Sequence, residues 1–168
     1  MAEWVIIVAG AFAVAFVVKT FLIQAFFIPS ASMFPTLRED DRVLVNKLSY
    51  DLHDVNRGDL IVFERPAGSE GDGIRDLIKR VVATENEKVE GREEGIYVDG
   101  RLLEEPYLED ATGAGLFEPV TIPDGHVFVM GDNRDNSQDS RVFGPVSEDD
   151  IVGRAFVRVW PLPDISLL

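Results

Sequence analysis

Two hydrophobic rhythms divide this chain. From Trp4 to Val18 the sequence WVIIVAGAFAVAFVV has no charge or strongly polar group, and apolar character resumes after Lys19 and Thr20 as FLIQAFFI. A buried core helix carries a polar face at helical spacing, and none recurs here over roughly four turns. A cleaved secretory leader opens with Lys or Arg, whereas only Glu3 precedes this run. A helix over about 20 of these residues spans roughly 30 Å, the thickness of a bilayer core, and Lys19 can snorkel to the headgroups. Residues 1–28 are therefore expected to form an uncleaved membrane anchor. No Lys or Arg precedes Lys19, so charge does not set its orientation.

Beyond Pro29 the rhythm shortens to that of strands. RVLVN (42–46), DLIVF (59–63), LIKRVVA (77–83), GIYV (95–98), RLLE (101–104), HVFVM (126–130) and RAFVRVW (154–160) are short and rich in Val, Ile and Phe. Gly, Pro, Asp or Asn clusters separate them. Asp99-Gly100 suits a two-residue type I′ hairpin turn. Residues 65–76 read as a flexible loop, and 85–122, more acidic and less apolar, as a small satellite lobe. The expected fold is mainly β: twisted antiparallel sheets over residues 29–168, with no helix-length amphipathic pattern after residue 30.

At 168 residues the chain suits one such domain with a real core. It contains no cysteine, which excludes disulfides and thiolate metal sites. Thirty acidic against 16 basic residues give a net charge of −14, which argues against a nucleic-acid partner because phosphate binding needs a basic footprint.

One stretch asks for chemistry. In FFIPSASMFPTL, Ser30 and Ser32 lie between Pro29 and Pro35, where neither a helix nor a central strand forms easily, so the turn presents hydroxyls. A nucleophilic serine needs a base. His126 sits beside an expected core strand and His53 in a polar loop between strands, and both read as structural or solvated residues; neither a G-x-S-x-G elbow nor a Ser-x-x-Lys pattern occurs. A neutral lysine remains. In DLIKRVVA, strand alternation puts Leu77, Lys79 and Val81 on one face, and burial there lowers a lysine pKa. The bland alternative is an edge-strand lysine that guards against aggregation. MGDNRDNSQDSRVFG (130–144) is either a turn-rich surface loop or a device for orienting a base. Asp135, Ser137 and Asp139 also have the spacing of a calcium loop, but Ser140 replaces its glycine and Val146 its glutamate.

Taken together, these boxes resemble the bacterial type I signal peptidases. PSASMFPTL is similar to that family's serine box, RGDLIVF (57–63) to its second box and DLIKRVV to its lysine box. GDNRDNSQDSRVFGPV matches its Gly-Asp-Asn box almost throughout, and GRAFVRVWP (153–161) is similar to its closing strand. The resemblance implies Ser32 as nucleophile, Lys79 as general base, and Ser30 with the Ser32 N–H as oxyanion donors. It implies Ser137 orienting the lysine amine and Asp139 pairing with Arg141 and Arg80. Phe26, Ile28, Pro29, Met33, Leu77 and Ile78 would line shallow pockets for small side chains at −1 and −3 of exported preproteins. No metal or organic cofactor is implied. The enzyme would be single-pass in the cell membrane, in contact with lipid, its catalytic domain outside the cytoplasm. After the lysine box the family continues Gly-Leu-Pro-Gly-Asp, where this chain has ATENEKVEG. Two rivals share some features: a self-cleaving Ser/Lys regulator, and a membrane-tethered β-domain that only binds partners or Ca²⁺.

Overall fold

The computed structural model describes residues 2–17, 22–66, 69, 73–108 and 115–168. Its first element, α1 (Ala2–Val17), is a helix of 16 residues. Then come β1 (Ile23–Phe27), β2 (Arg42–Asn46), a short helix α2 (Ser49–Leu52), β3 (Leu60–Glu64) and β4 (Asp76–Ala83). β5 (Lys88–Arg92), β6 (Gly95–Val98), β7 (Arg101–Leu102) and β8 (Phe117–Thr121) follow. The chain finishes with β9 (His126–Met130), α3 (Ser140–Phe143), β10 (Val146–Ser147), β11 (Ile151–Trp160) and β12 (Ser166–Leu167).

The apolar run expected to form one anchor divides. Residues 23–27 are a strand, antiparallel to β2 with Ile23 opposite Asn46 and Phe27 opposite Arg42. Aromatic side chains in IQAFF favour a pleated, half-buried edge. At about 1.5 Å per residue α1 is roughly 24 Å long, and no helix among the described residues is long and apolar enough to cross a membrane. Lys19 lies outside the described residues.

Two antiparallel sheets make up the rest. The larger has the order β1-β2-β11-β3-β4-β9-β10, with β12 added on β11; the smaller runs β7-β6-β5-β8. Strands expected at 42–46, 95–98 and 126–130 are found there. β3 is central, and Leu60, Ile61, Val62 and Phe63 are all buried, the continuous apolar pattern of a strand covered on both faces. Alternation along β4 sends Leu77 and Val81 to one core cluster and Ile78 to another. A third cluster, built on Val89, Ile96, Val98, Ile122 and Phe128, joins the small sheet to β4 and β9. Where the family's Gly-Pro turn is missing, Asn86 takes the left-handed conformation at φ 65°, which Asn tolerates better than most residues. Glu87 closes that turn, its N–H donating to the Thr84 carbonyl at 3.3 Å and its carboxylate accepting from the Thr84 N–H at 2.8 Å.

Candidate active site

Ser32 stands in a single 3-10 turn, Ala31–Met33, at the end of the segment that leaves β1. Burial fixes this turn from below: Ile28, Met33 and Leu37 belong to the same core cluster as Val43, Val45 and Val62. Met33 is thus a core residue beneath the turn and not, as expected, part of a pocket wall. From the side, the Asn133 N–H donates to the Ser32 carbonyl and Asn133 Nδ2 to the Ala31 carbonyl, both at 3.0 Å.

Lys79 reaches the turn from β4, where it pairs opposite Ile61. It is 3% exposed, and its Nζ lies 2.7 Å from Ser32 Oγ. Burial strips the ammonium of water and pulls the Lys79 pKa from 10.5 down to about 8; Asp139 opposes this, Arg65 adds to it, and Asp132 opposes it. The cation that acts on Lys79 is therefore Arg65, not the neighbouring Arg80. Ser30 Oγ donates to Ser32 Oγ at 3.3 Å.

The loop after β9 holds this arrangement. Asp139, wholly buried, accepts from Arg141 Nε and Nη2 at 2.8 Å each and from the Gly131 N–H at 3.0 Å. Burial would raise its pKa, but Arg141 and the Gly131 N–H outweigh that and keep it below the usual carboxylate range. A carboxylate so fully engaged is poorly placed to ligate calcium. The expected pairing of Asp139 with Arg80 is not found. Arg80 instead grips Asp132, Nε to Oδ1 at 2.9 Å and Nη2 to Oδ2 at 2.7 Å, because Asp132 lies just past Met130, its partner across β4 and β9. Ser137 Oγ is buried and makes no hydrogen bond of good geometry with a described residue, although its nearness also favours the ionised Asp139. Its expected bond to the Lys79 amine is not formed. Ser137 packs on Gly131, where a Cβ would collide with Ser137 Oγ and the Ser32 carbonyl oxygen.

A second buried network ties in the segment that leaves the small sheet. The Arg80 guanidinium stacks 3.8 Å from the centre of the Tyr107 ring, and Tyr107 donates to Glu105 at 2.6 Å. Glu105 takes both Nη groups of Arg134, at 2.8 and 2.5 Å, while Arg134 Nε donates to the Gly131 carbonyl. Glu105, Tyr107, Asp132 and Arg134 escaped the sequence reading. The histidines make local contacts instead, the Nδ1 of His53, just past α2, against the Asp54 carbonyl and that of His126, the first residue of β9, against the Asp124 carbonyl.

A shallow cleft opens beside the Ser32–Lys79 pair. Five of the six expected pocket residues line it: Phe26, Ile28, Pro29, Leu77 and Ile78. Phe27, Val62, Ile74 and Asp76 were not anticipated. β9 pairs with β4 only from Arg80 onward, so one edge of residues 76–79 carries no strand among the described residues, an edge on which an extended peptide can add.

The profile of the family described as "Signal peptidase, peptidase S26" matches residues 1–160. "Probable signal peptidase I-2" of Synechocystis sp. is 40% identical over 152 residues, 90% of this chain and 69% of that protein. Signal peptidase IB of Staphylococcus aureus is 34% identical over 181 aligned positions, 98% of this chain and 92% of its relative. A crystal structure of a signal peptidase I from Enterococcus faecalis V583 superposes with a TM-score of 0.52 at 29% identity, over 61% of this chain and 97% of that one.

Proposed function

This chain belongs to the signal peptidase, peptidase S26 family, and from that premise we propose that it removes signal peptides with Ser32 as nucleophile and Lys79 as general base. One observation carries the assignment: a buried amine whose pKa is drawn down to about 8 lies 2.7 Å from the oxygen it must deprotonate. Neutral Lys79 takes the Ser32 proton as Oγ attacks the scissile carbonyl. The oxyanion that forms is met by the Ser30 hydroxyl and the Ser32 N–H, which at the first turn of a 3-10 helix has no helical acceptor. The ammonium then protonates the leaving amine as the C–N bond breaks. In the second half Lys79 takes a proton from water, hydroxide attacks the acyl carbon, and Ser32 leaves with the proton returned.

Substrate selection follows from the cleft. Its apolar walls beside the dyad suit small side chains at −1 and −3, and an extended preprotein segment can pair with the open edge of residues 76–79. Asp139, Arg141 and Ser137 would support the site by fixing Gly131, and Arg80 by fixing Asp132. We also propose that α1 holds the enzyme at the membrane with its catalytic domain on the extracytoplasmic side. Supporting this, Trp4 is 72% and Phe12 73% exposed on a helix with no polar face. The test is cleavage of a preprotein by the full chain beside Ser32→Ala. Loss of turnover with an unchanged fold is expected, and near-normal turnover overturns the assignment.

A further inference from the structure

Asp76 stands three residues before Lys79 on β4 and lines the same cleft. Apart from Ser30, Ser32 and Lys79, the cleft around it is lined by apolar side chains, among them Phe26, Ile28, Val62, Ile74 and Leu77. No ion pair and no side-chain hydrogen bond of Asp76 with a described residue is formed. Its place in the sheet is unfavourable. Asp76 lies directly opposite Glu64 on β3, and like charges facing each other across a ladder destabilise it. Arg75 relieves only one of them, pairing with Glu64 at 2.7 Å. The sheet thus keeps a carboxylate without a cation at the far end of an apolar cleft, where a neutral residue would fit β4 better.

That charge lies where substrate passes. A strand rises about 3.3 Å per residue, so Asp76 is about 10 Å along β4 from Lys79. A preprotein with its −1 residue at the dyad, extended along the open edge of residues 76–79, brings its −4 residue beside Asp76. We propose that Asp76 is a specificity-determining residue that favours a basic side chain and disfavours an acidic one at −4 of the substrate. This rests on Ser32 and Lys79 being the dyad.

The experiment uses one preprotein in three forms that carry Gln, Lys or Glu at −4. Single-turnover cleavage is measured at low ionic strength with the full chain and with Asp76→Asn and Asp76→Lys. The wild type should favour the Lys form over the Glu form roughly fivefold, an effect of the size exposed charge pairs give, and added salt should shrink it. Asp76→Asn should bring the ratio close to one, and Asp76→Lys should invert it, whatever the absolute rates. A ratio that is the same in all three enzymes overturns the proposal. Ser32→Ala runs alongside, because cleavage by that variant strikes at the dyad itself and so separates the two failures.

Discussion

Lys79→Arg separates two roles that a lysine can play beside Ser32. Arginine keeps a cation and cannot deprotonate in the accessible range, so the variant should be as inactive as Lys79→Ala. Retained activity would reduce Lys79 to a fixed charge. For the wild type, kcat/KM, which reports the unliganded enzyme, should rise with pH along a limb centred near 8, since the proposed base works only when neutral. The same shift has a stability sign. Between about 8 and 10.5 the unfolded chain binds a proton that folded Lys79 has released, so this residue's contribution to stability rises with pH across that window. Below it, the folded state must hold a buried ammonium and the contribution is lost. A pH series of urea melts, wild type against Lys79→Met, checks the direction. Ser30→Ala should cost roughly 10²–10³ in rate, the effect of one oxyanion donor, with folding untouched; an unchanged rate would remove Ser30 from the oxyanion site.

The elements around the dyad predict sharper structural failures. Gly131→Ala puts a methyl group against Ser137 Oγ and the Ser32 carbonyl oxygen, and displacement of the serine turn by about 1 Å should cost on the order of 10² in turnover. Wild-type rates from this variant would show that the turn tolerates the shift. Asp132→Ala leaves Arg80 buried without its carboxylate, at a cost of about 3–5 kcal/mol in a denaturant melt. These elements also mark what the sequence could and could not disclose. β2, β6 and β9 announce themselves through Val and Ile between turn residues. β1 was hidden because it lies inside FLIQAFFI, which resumes the apolar run after only Lys19 and Thr20 with no Gly or Pro to mark a new element. β5 and β8 were missed for their composition: KVEGR carries Gly91 where the Gly115 carbonyl and the Phe117 ring leave no room for a side chain, and FEPVT carries Pro119, tolerated because β8 is an edge strand. Ser32 and Lys79 could be found through their boxes. The partner of Arg80 could not, because Asp132, Asp135 and Asp139 look alike in a turn-rich loop. Only the pairing of β4 with β9 brings Asp132 to that guanidinium.

At the scale of the whole molecule, no described side chain of α1 belongs to the three core clusters. Removal of residues 2–17 should therefore leave the thermal melting of the β-domain nearly unchanged while abolishing flotation with lipid vesicles. A collapse of the melt would show that the helix is part of the fold. The two sheets, by contrast, should unfold as one unit, since the Arg80–Tyr107–Glu105–Arg134 network and a shared core cluster span them. The depressed amine of Lys79 bears on how a population of such enzymes behaves. With a pKa of about 8, Lys79 is mostly protonated at pH 7, so under the proposed mechanism most empty copies would wait idle. A peptide lying over the cleft strips away more water and drives the proton off. Under the proposed mechanism each preprotein would thereby arm the enzyme that cuts it, and an empty enzyme would have little capacity for stray hydrolysis.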